Sequence, residues 1–283
     1  VLDSVLLALA ASLCWGTTDF TAGLKARSLP LPTVLMITQG VGLTIAAVVV
    51  AISADPFPAA AEALSSLGAG AAVVAGLGCF YRALSSGTMS VVAPVAATGV
   101  AIPVAVGLLD GNRLAGVQVV GMLAAVAGVV FAARHPERSA SAAGRRRHRE
   151  SIGLAVVAAV AFGGYYLLAH VGARGGVPWL LALAGVAGVS GVGLMALLTR
   201  TRPRVPPAGD LGLLALAGAL ECAATGLYGI ANRHGQLSIV AVAGSLYPVA
   251  TVLLARIVLR ERLFAWQATG VALALAGVAL IAA

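Results

Sequence analysis

Gly87-Thr88-Met89-Ser90-Val91-Val92-Ala93 returns 148 residues later as Gly235-Gln236-Leu237-Ser238-Ile239-Val240-Ala241. Both copies sit between one long apolar run and the next, so the chain passes the same joint twice. Toward the amino terminus an offset of 147 lays Ser4 on Ser151, Ala11 on Ala158, Trp15 on Phe162, Gly16 on Gly163 and Ala26-Arg27 on Ala173-Arg174. Toward the carboxy terminus the offset becomes 149, matching Leu114 to Leu263, Gln118 to Gln267, Gly121 to Gly270 and Gly128 to Gly277. Single Ala or Gly matches mean nothing in an apolar chain. A nearly constant offset over several segments indicates an internal duplication.

What is duplicated is a set of membrane spans. Of 283 residues, 60% are hydrophobic and 10% charged, and mean hydropathy is +1.01. A soluble fold cannot hide that much apolar surface, since soluble domains are about half apolar and a quarter charged. Apolar runs fall at 4–24, 33–54, 66–86, 89–109, 114–133, 152–172, 178–198, 211–232, 236–259 and 264–282. Each has the roughly 20 residues that a bilayer core of about 30 Å requires of a helix. The breaks are Pro30 and Pro32, Asp55 to Pro58, Ser85-Ser86-Gly87 and Asp110-Gly111-Asn112-Arg113. The expected fold is therefore an all-α integral membrane protein of ten transmembrane helices. It divides into a first five-helix repeat (1–133), a basic linker (134–150) containing Arg145-Arg146-Arg147-His148-Arg149, and a second repeat (151–283). Five is odd, so the second repeat enters the bilayer with opposite polarity. Inverted repeats of this kind suit a transporter, because the two halves supply inward-open and outward-open states of similar energy around a midplane site.

The charge of +8 records insertion rather than nucleic-acid binding, because the arginines lie between apolar runs. With the amino terminus outside, the cytoplasmic loops and helix ends collect Lys25, Arg27, Arg82, Arg134, Arg138, Arg145, Arg146, Arg147, Arg149, Arg200, Arg202, Arg204, Arg256, Arg260 and Arg262. The outside keeps Arg113, Arg174 and Arg233. Fifteen against three places both termini outside and 134–150 in the cytoplasm of a plasma-membrane protein. Cys14, Cys79 and Cys222 lie in apolar runs without paired or metal-ligand spacing, and His135, His148 and His234 fall in loops, so no metal site is expected. A Walker pattern is absent from the sequence, which argues against ATP-driven transport and for a chain that needs no cofactor.

Trp15-Gly16-Thr17-Thr18-Asp19-Phe20, Tyr81-Arg82-Ala83-Leu84 with Gly87 and Ser90-Val91-Val92-Ala93-Pro94, and Ser245-Leu246-Tyr247-Pro248 leading to Leu259-Arg260-Glu261-Arg262-Leu263 together resemble the EamA-type transporters of the drug/metabolite transporter superfamily. The resemblance spans both halves. It implies that the first four helices of each repeat surround a central cavity, with the fifth and tenth at the periphery. It also implies secondary transport of metabolites, often export of amino acids or related compounds. Family members often carry Glu after the fourth helix, where this chain has Asn112; Glu261 is kept in the second repeat and reads as structural, paired with a neighbouring arginine.

Several polar residues stand inside apolar runs. A charge at a helix centre costs about 2.5 to 3.5 kcal/mol on insertion scales, so Asp19 needs a polar cavity, a partner such as Lys25 or Arg82, or the interface. Glu221 lies near the middle of the eighth run and is either protonated, paired or facing water; it is the residue a proton-coupled carrier would use, and equally a buried neutral acid bonded to a carbonyl. Tyr228 and Asn232 follow it at spacings that keep roughly one face. Trp15, Thr18, Gln39, Tyr165, Tyr166 and Tyr247, with His170 and Ser245 beside them, complete the expected cavity set. Arg82 and Arg256 read as snorkelling anchors rather than substrate ligands. The glycines of the seventh run, Gly185, Gly188, Gly191 and Gly193, read as surfaces for close helix approach. The expected partners are a small-molecule substrate, the lipid bilayer and a proton as coupling ion; a homodimer is compatible with the sequence. Other classes are an intramembrane lipid-modifying enzyme, for which no compact catalytic motif exists, and a passive channel or scaffold, which needs no interchangeable halves.

Overall fold

The computed structural model describes residues 2–109, 142–235, 237–260 and 265–282, with isolated helical positions between 116 and 128. Its helices are α1 (Leu2–Lys25), α2 (Leu31–Ser53), α3 (Ala60–Ser86), α4 (Met89–Ala97), α5 (Ala101–Leu109), α6 (Ala142–Arg174), α7 (Val177–Leu198), α8 (Ala208–His234), α9 (Leu237–Gly244), α10 (Tyr247–Val258) and α11 (Ala265–Ala282). Seven spans among the described residues are long and apolar enough to cross a bilayer, and a shorter apolar stretch covers Val91–Gly107. The expected fifth helix at 114–133, the first part of the linker at 134–141 and the Glu261 pairing lie outside the described residues. From Ala142 the basic linker is already helical and runs unbroken into the sixth span.

Proline and glycine punctuate both halves alike. Helices α3 and α8 are each 27 residues long and begin 148 positions apart. Pro58 and Pro207 stand just ahead of them and Gly87 and Gly235 follow them. Proline fits a helix start, where the missing N–H costs nothing, and glycine commonly follows a helix end. The packing repeats with the halves exchanged: α1 lies along α8 as α6 lies along α3, and α3 meets α7 as α8 meets α2. Lipid supplies no hydrophobic drive between helices, so these contacts depend on close van der Waals fit. At the α3–α7 crossing a Cβ on Gly70 would overlap the Ala184 backbone, and at the α8–α2 crossing a Cβ on Gly218 would overlap the Thr38 backbone. Gly70 and Gly218 are also 148 positions apart. Only glycine lets the two backbones approach this far.

The expected fourth and ninth helices are each broken, which uniform hydrophobicity concealed. Between α4 and α5 the chain passes through a 3-10 turn at Thr98–Val100, and between α9 and α10 it turns at Ser245 and Leu246. Pro103 cannot donate to the Gly99 carbonyl one turn back, and Pro248 cannot donate to that of Gly244. Beside the two breaks, Thr98 Oγ1 donates to Val95 O (2.7 Å) and Ser245 Oγ to Val242 O (2.8 Å). The half-helices cross between repeats, α4 against α10 and α5 against α9.

Candidate functional site

A narrow chamber of about 30 Å³ lies between the halves, lined by Trp15 and Asp19 of α1, Val73 and Leu77 of α3, Phe162, Tyr165 and Tyr166 of α6, Glu221 of α8 and Tyr247 of α10. Trp15 and Asp19 are four residues apart and so share one helix face. The same holds for Val73 and Leu77, while Phe162, Tyr165 and Tyr166 follow i, i+3, i+4 on α6.

Two aromatic groups frame the chamber. Trp15 packs edge-on to Tyr165 (6.0 Å between ring centroids) and Tyr166 (6.4 Å), and Tyr228 closes the group at 5.4 Å from both Trp15 and Tyr166. Opposite, Phe80, Phe162 and Tyr247 form a triangle with centroids 5.6 to 6.4 Å apart. These separations suit the edge-to-face and tilted arrangements that the ring quadrupole favours. The rings fix the wall on which the carboxyls stand.

Asp19 is buried, and its one hydrogen bond among the described residues is a long one from Tyr81 Oη (3.4 Å). Lys25, a sequence-level candidate for its partner, instead pairs with Asp210 at 2.5 Å, joining the end of α1 to the start of α8. Arg82 is exposed and lines a crevice elsewhere, so it does not reach Asp19 either. Glu221 stands with the Trp15 indole beside it, and its Oε2 is buried without a hydrogen-bond partner. Neither carboxyl has a salt bridge among the described residues. The hydroxyl of Tyr247, a residue 4% exposed, is likewise buried and unpartnered. Among the described residues no three metal-ligating side chains converge.

A second compartment shares Val73, Tyr165 and Glu221 and continues past Thr38, Gln39 and Thr225. Gln39 therefore sits one step from the chamber. Thr18 is buried in the α1–α8 contact, donating to Ala217 O (3.0 Å). Tyr228 backs the aromatic wall without lining the chamber. Asn232 is further off: its Nδ2 donates to Tyr228 O (2.9 Å) and its Oδ1 meets His170 Nδ1 (2.9 Å), so it ties α8 to α6 near one end of the bundle. The sequence missed the apolar lining of Val73, Leu77 and Phe162, since apolar residues on apolar helices carry no separate signal. The repeat offset contained it: Phe162 is the counterpart of Trp15, Tyr166 of Asp19, and Val73 of Glu221.

The two ends of the bundle differ. At the end holding Lys25, a wide crevice of about 440 Å³ is lined by Pro30, Pro32, Cys79, Arg82, Met195 and Thr199 among others. It reaches Gly78, next in sequence to Leu77 of the chamber. At the other end Phe57 meets Trp179 edge-on (4.9 Å), Trp179 Nε1 donates to Asp55 O (3.0 Å), and His170 bonds Asn232.

Comparison with known proteins bears on what such a chamber serves. A crystal structure of another protein, 20% identical, superposes with a TM-score of 0.70 over 98% of this chain and 96% of its own, which establishes a shared fold. No curated protein sequence matches the chain. The EamA-like transporter family matches twice, over residues 3–134 and 150–283, one match for each half read from the repeat. With nearly the whole length covered by two copies of the family's unit, this chain belongs to the EamA-like transporter family, a multi-pass membrane protein of the drug/metabolite transporter fold.

Proposed function

We propose that the chain is a secondary active transporter of ten transmembrane helices in two inverted repeats, exporting small metabolites such as amino acids or related compounds by alternating access. The observation that carries this reading is the chamber itself. Two intramembrane carboxyls, one from each half, line one space between helices whose contacts repeat with the halves exchanged. Exchanged packing supports two states in which each half takes the other's role, and broken spans at the repeat interface recur in carriers of this construction.

Glu221 is the coupling residue in this proposal. Burying two anions together without a counter-charge is costly, and a proton or a cargo charge offsets that cost. Proton binding at Glu221 on one side of the membrane and release on the other then couples cargo to the proton gradient. The arginine distribution supports a cytoplasmic Lys25 end, which puts the crevice inside, the Phe57–Trp179 contact outside and both termini outside.

Reconstitution tests the reading. Proteoliposomes holding the protein and preloaded with amino acids or related metabolites are expected to show counterflow, and a pH gradient to drive net flux. Glu221→Gln is expected to abolish the pH-driven component while counterflow of preloaded cargo persists. Full pH-driven flux in Glu221→Gln removes the coupling role, and no flux with any metabolite of a broad panel removes the carrier reading.

A further inference from the structure

We propose that the chamber selects a small organic cation, an amine or quaternary ammonium on an apolar or aromatic body, over the zwitterion or anion built on the same body. The inference rests on the carrier reading above and names its cargo by charge.

Three observations converge. First, the lining holds two acids and no base: neither the chamber nor its second compartment is lined by a Lys, Arg or His among the described residues. Lys25, on the same helix as Asp19, is already held by Asp210. Secondly, the two carboxyls facing the space are acceptors in want of a donor or a positive charge. Glu221 Oε2 has no partner, Asp19 has only the long bond from Tyr81, and the deeply buried Tyr247 hydroxyl is unpartnered and lines the same wall. Thirdly, the remainder of the wall is aromatic. Trp15, Phe162, Tyr165, Tyr166 and Tyr247 all line the chamber. A cation within about 6 Å of a ring face is attracted by the ring quadrupole, most strongly when desolvated, and such rings recognise quaternary ammonium groups.

An anionic cargo would set a third negative charge beside Asp19 and Glu221 in a low-dielectric space. A zwitterion would gain at its ammonium and lose at its carboxylate, which meets two acids and no described cationic side chain in the lining. A neutral body of equal size would use the rings and leave both acids unserved. The cation alone satisfies acids and rings together.

A benzyl series tests this on the full-length protein in lipid nanodiscs by calorimetric titration: benzyltrimethylammonium, phenylalanine, phenylacetate and benzyl alcohol. The quaternary ammonium is expected to bind at least about tenfold more tightly than the other three, a difference of about 1.4 kcal/mol. Asp19→Asn and Glu221→Gln are each expected to erase most of that preference, while Glu150→Gln, at an exposed position outside the chamber, keeps it. The wild-type series stands by itself if an acid variant does not fold. Equal or tighter binding of phenylalanine or phenylacetate overturns the inference. So does a series in which nothing binds while the same preparation shows metabolite counterflow, an outcome that leaves the carrier reading intact. Absence of both binding and counterflow removes the carrier reading and the inference with it.

Discussion

The two walls of the chamber occupy equivalent places in the two repeats and carry different chemistry. Where the first half presents Trp15, Asp19 and Val73, the second presents Phe162, Tyr166 and Glu221 at the matching positions. Away from the chamber the halves agree: Gly70 and Gly218 admit a partner helix at the same point, and the fourth and ninth spans break at corresponding turns. The likeness lies in how backbones approach one another, and the difference lies in what faces the space between them. A repeated frame sets up exchangeable packing, while unlike walls give the chamber two acids at unequal positions.

Disturbing the frame is expected to have the largest effect. Gly70→Val and Gly218→Val each force a branched side chain into the backbone of a neighbouring helix, and each is expected to cost about 3 kcal/mol or to prevent folding. Thermal unfolding in detergent should rank them together, with Gly164→Ala, whose Cβ meets nothing within 4 Å, within about 0.5 kcal/mol of wild type. If Gly70→Val is tolerated and Gly218→Val is not, the two crossings are not equivalent.

Next in size comes exchange of the walls. Glu221→Val removes the second acid, and Val73→Glu in that background returns a carboxyl at the matching place in the first half. PH-driven flux is expected to fall at least about tenfold in Glu221→Val, in keeping with loss of a positioned proton-transfer group, and to recover in part in the double variant. No recovery would mean that the position, and not only the acid, is specific to the second half.

The ends of the bundle give a smaller contrast. Lys25 and Asp210 latch one end by an ion pair whose side chains are 19% and 27% exposed. Asp210 has Glu62 as its counterpart, and Glu62 Oε2 is buried without a partner. A double-mutant cycle with Lys25→Met and Asp210→Asn is expected to give about 0.5 to 1 kcal/mol for a partly solvated pair. Smallest of all, Arg146→Ala breaks an exposed i, i+4 pair with Glu150 and is expected to change stability by less than about 0.5 kcal/mol in the same thermal assay.

How much of this was legible follows from what each residue signals. Long apolar runs mark the spans of a helical membrane protein and a nearly constant offset marks an internal duplication, so seven spans and the two halves could be read directly. Trp15, Asp19, Tyr165, Tyr166, Glu221 and Tyr247 stood out because polar or amphipathic side chains within a bilayer need a reason, and the structure gathers all six on one chamber. Asn232 shared their helical face but lies eleven residues past Glu221, about 16 Å along the axis, and angular register says nothing of depth. The breaks at Thr98–Val100 and Ser245–Leu246 were hidden because hydropathy is blind to backbone hydrogen bonding, although Pro103 and Pro248 were visible. The Lys25–Asp210 pair spans 185 residues of sequence, and only the fold brings it together.

Alternating access makes the two ends depend on each other, and that is the claim to test most directly. Spin labels across Phe57 and Trp179 at one end, and across the crevice at Arg82 and Thr199 at the other, read by pulsed dipolar spectroscopy in the same lipid preparation, report both openings at once. The carrier account predicts that lengthening at the Phe57–Trp179 end accompanies shortening or closure of the crevice at the Lys25 end as cargo or pH shifts the population. Distances that lengthen at both ends together, or that stay fixed at both under every condition that drives flux, would contradict it.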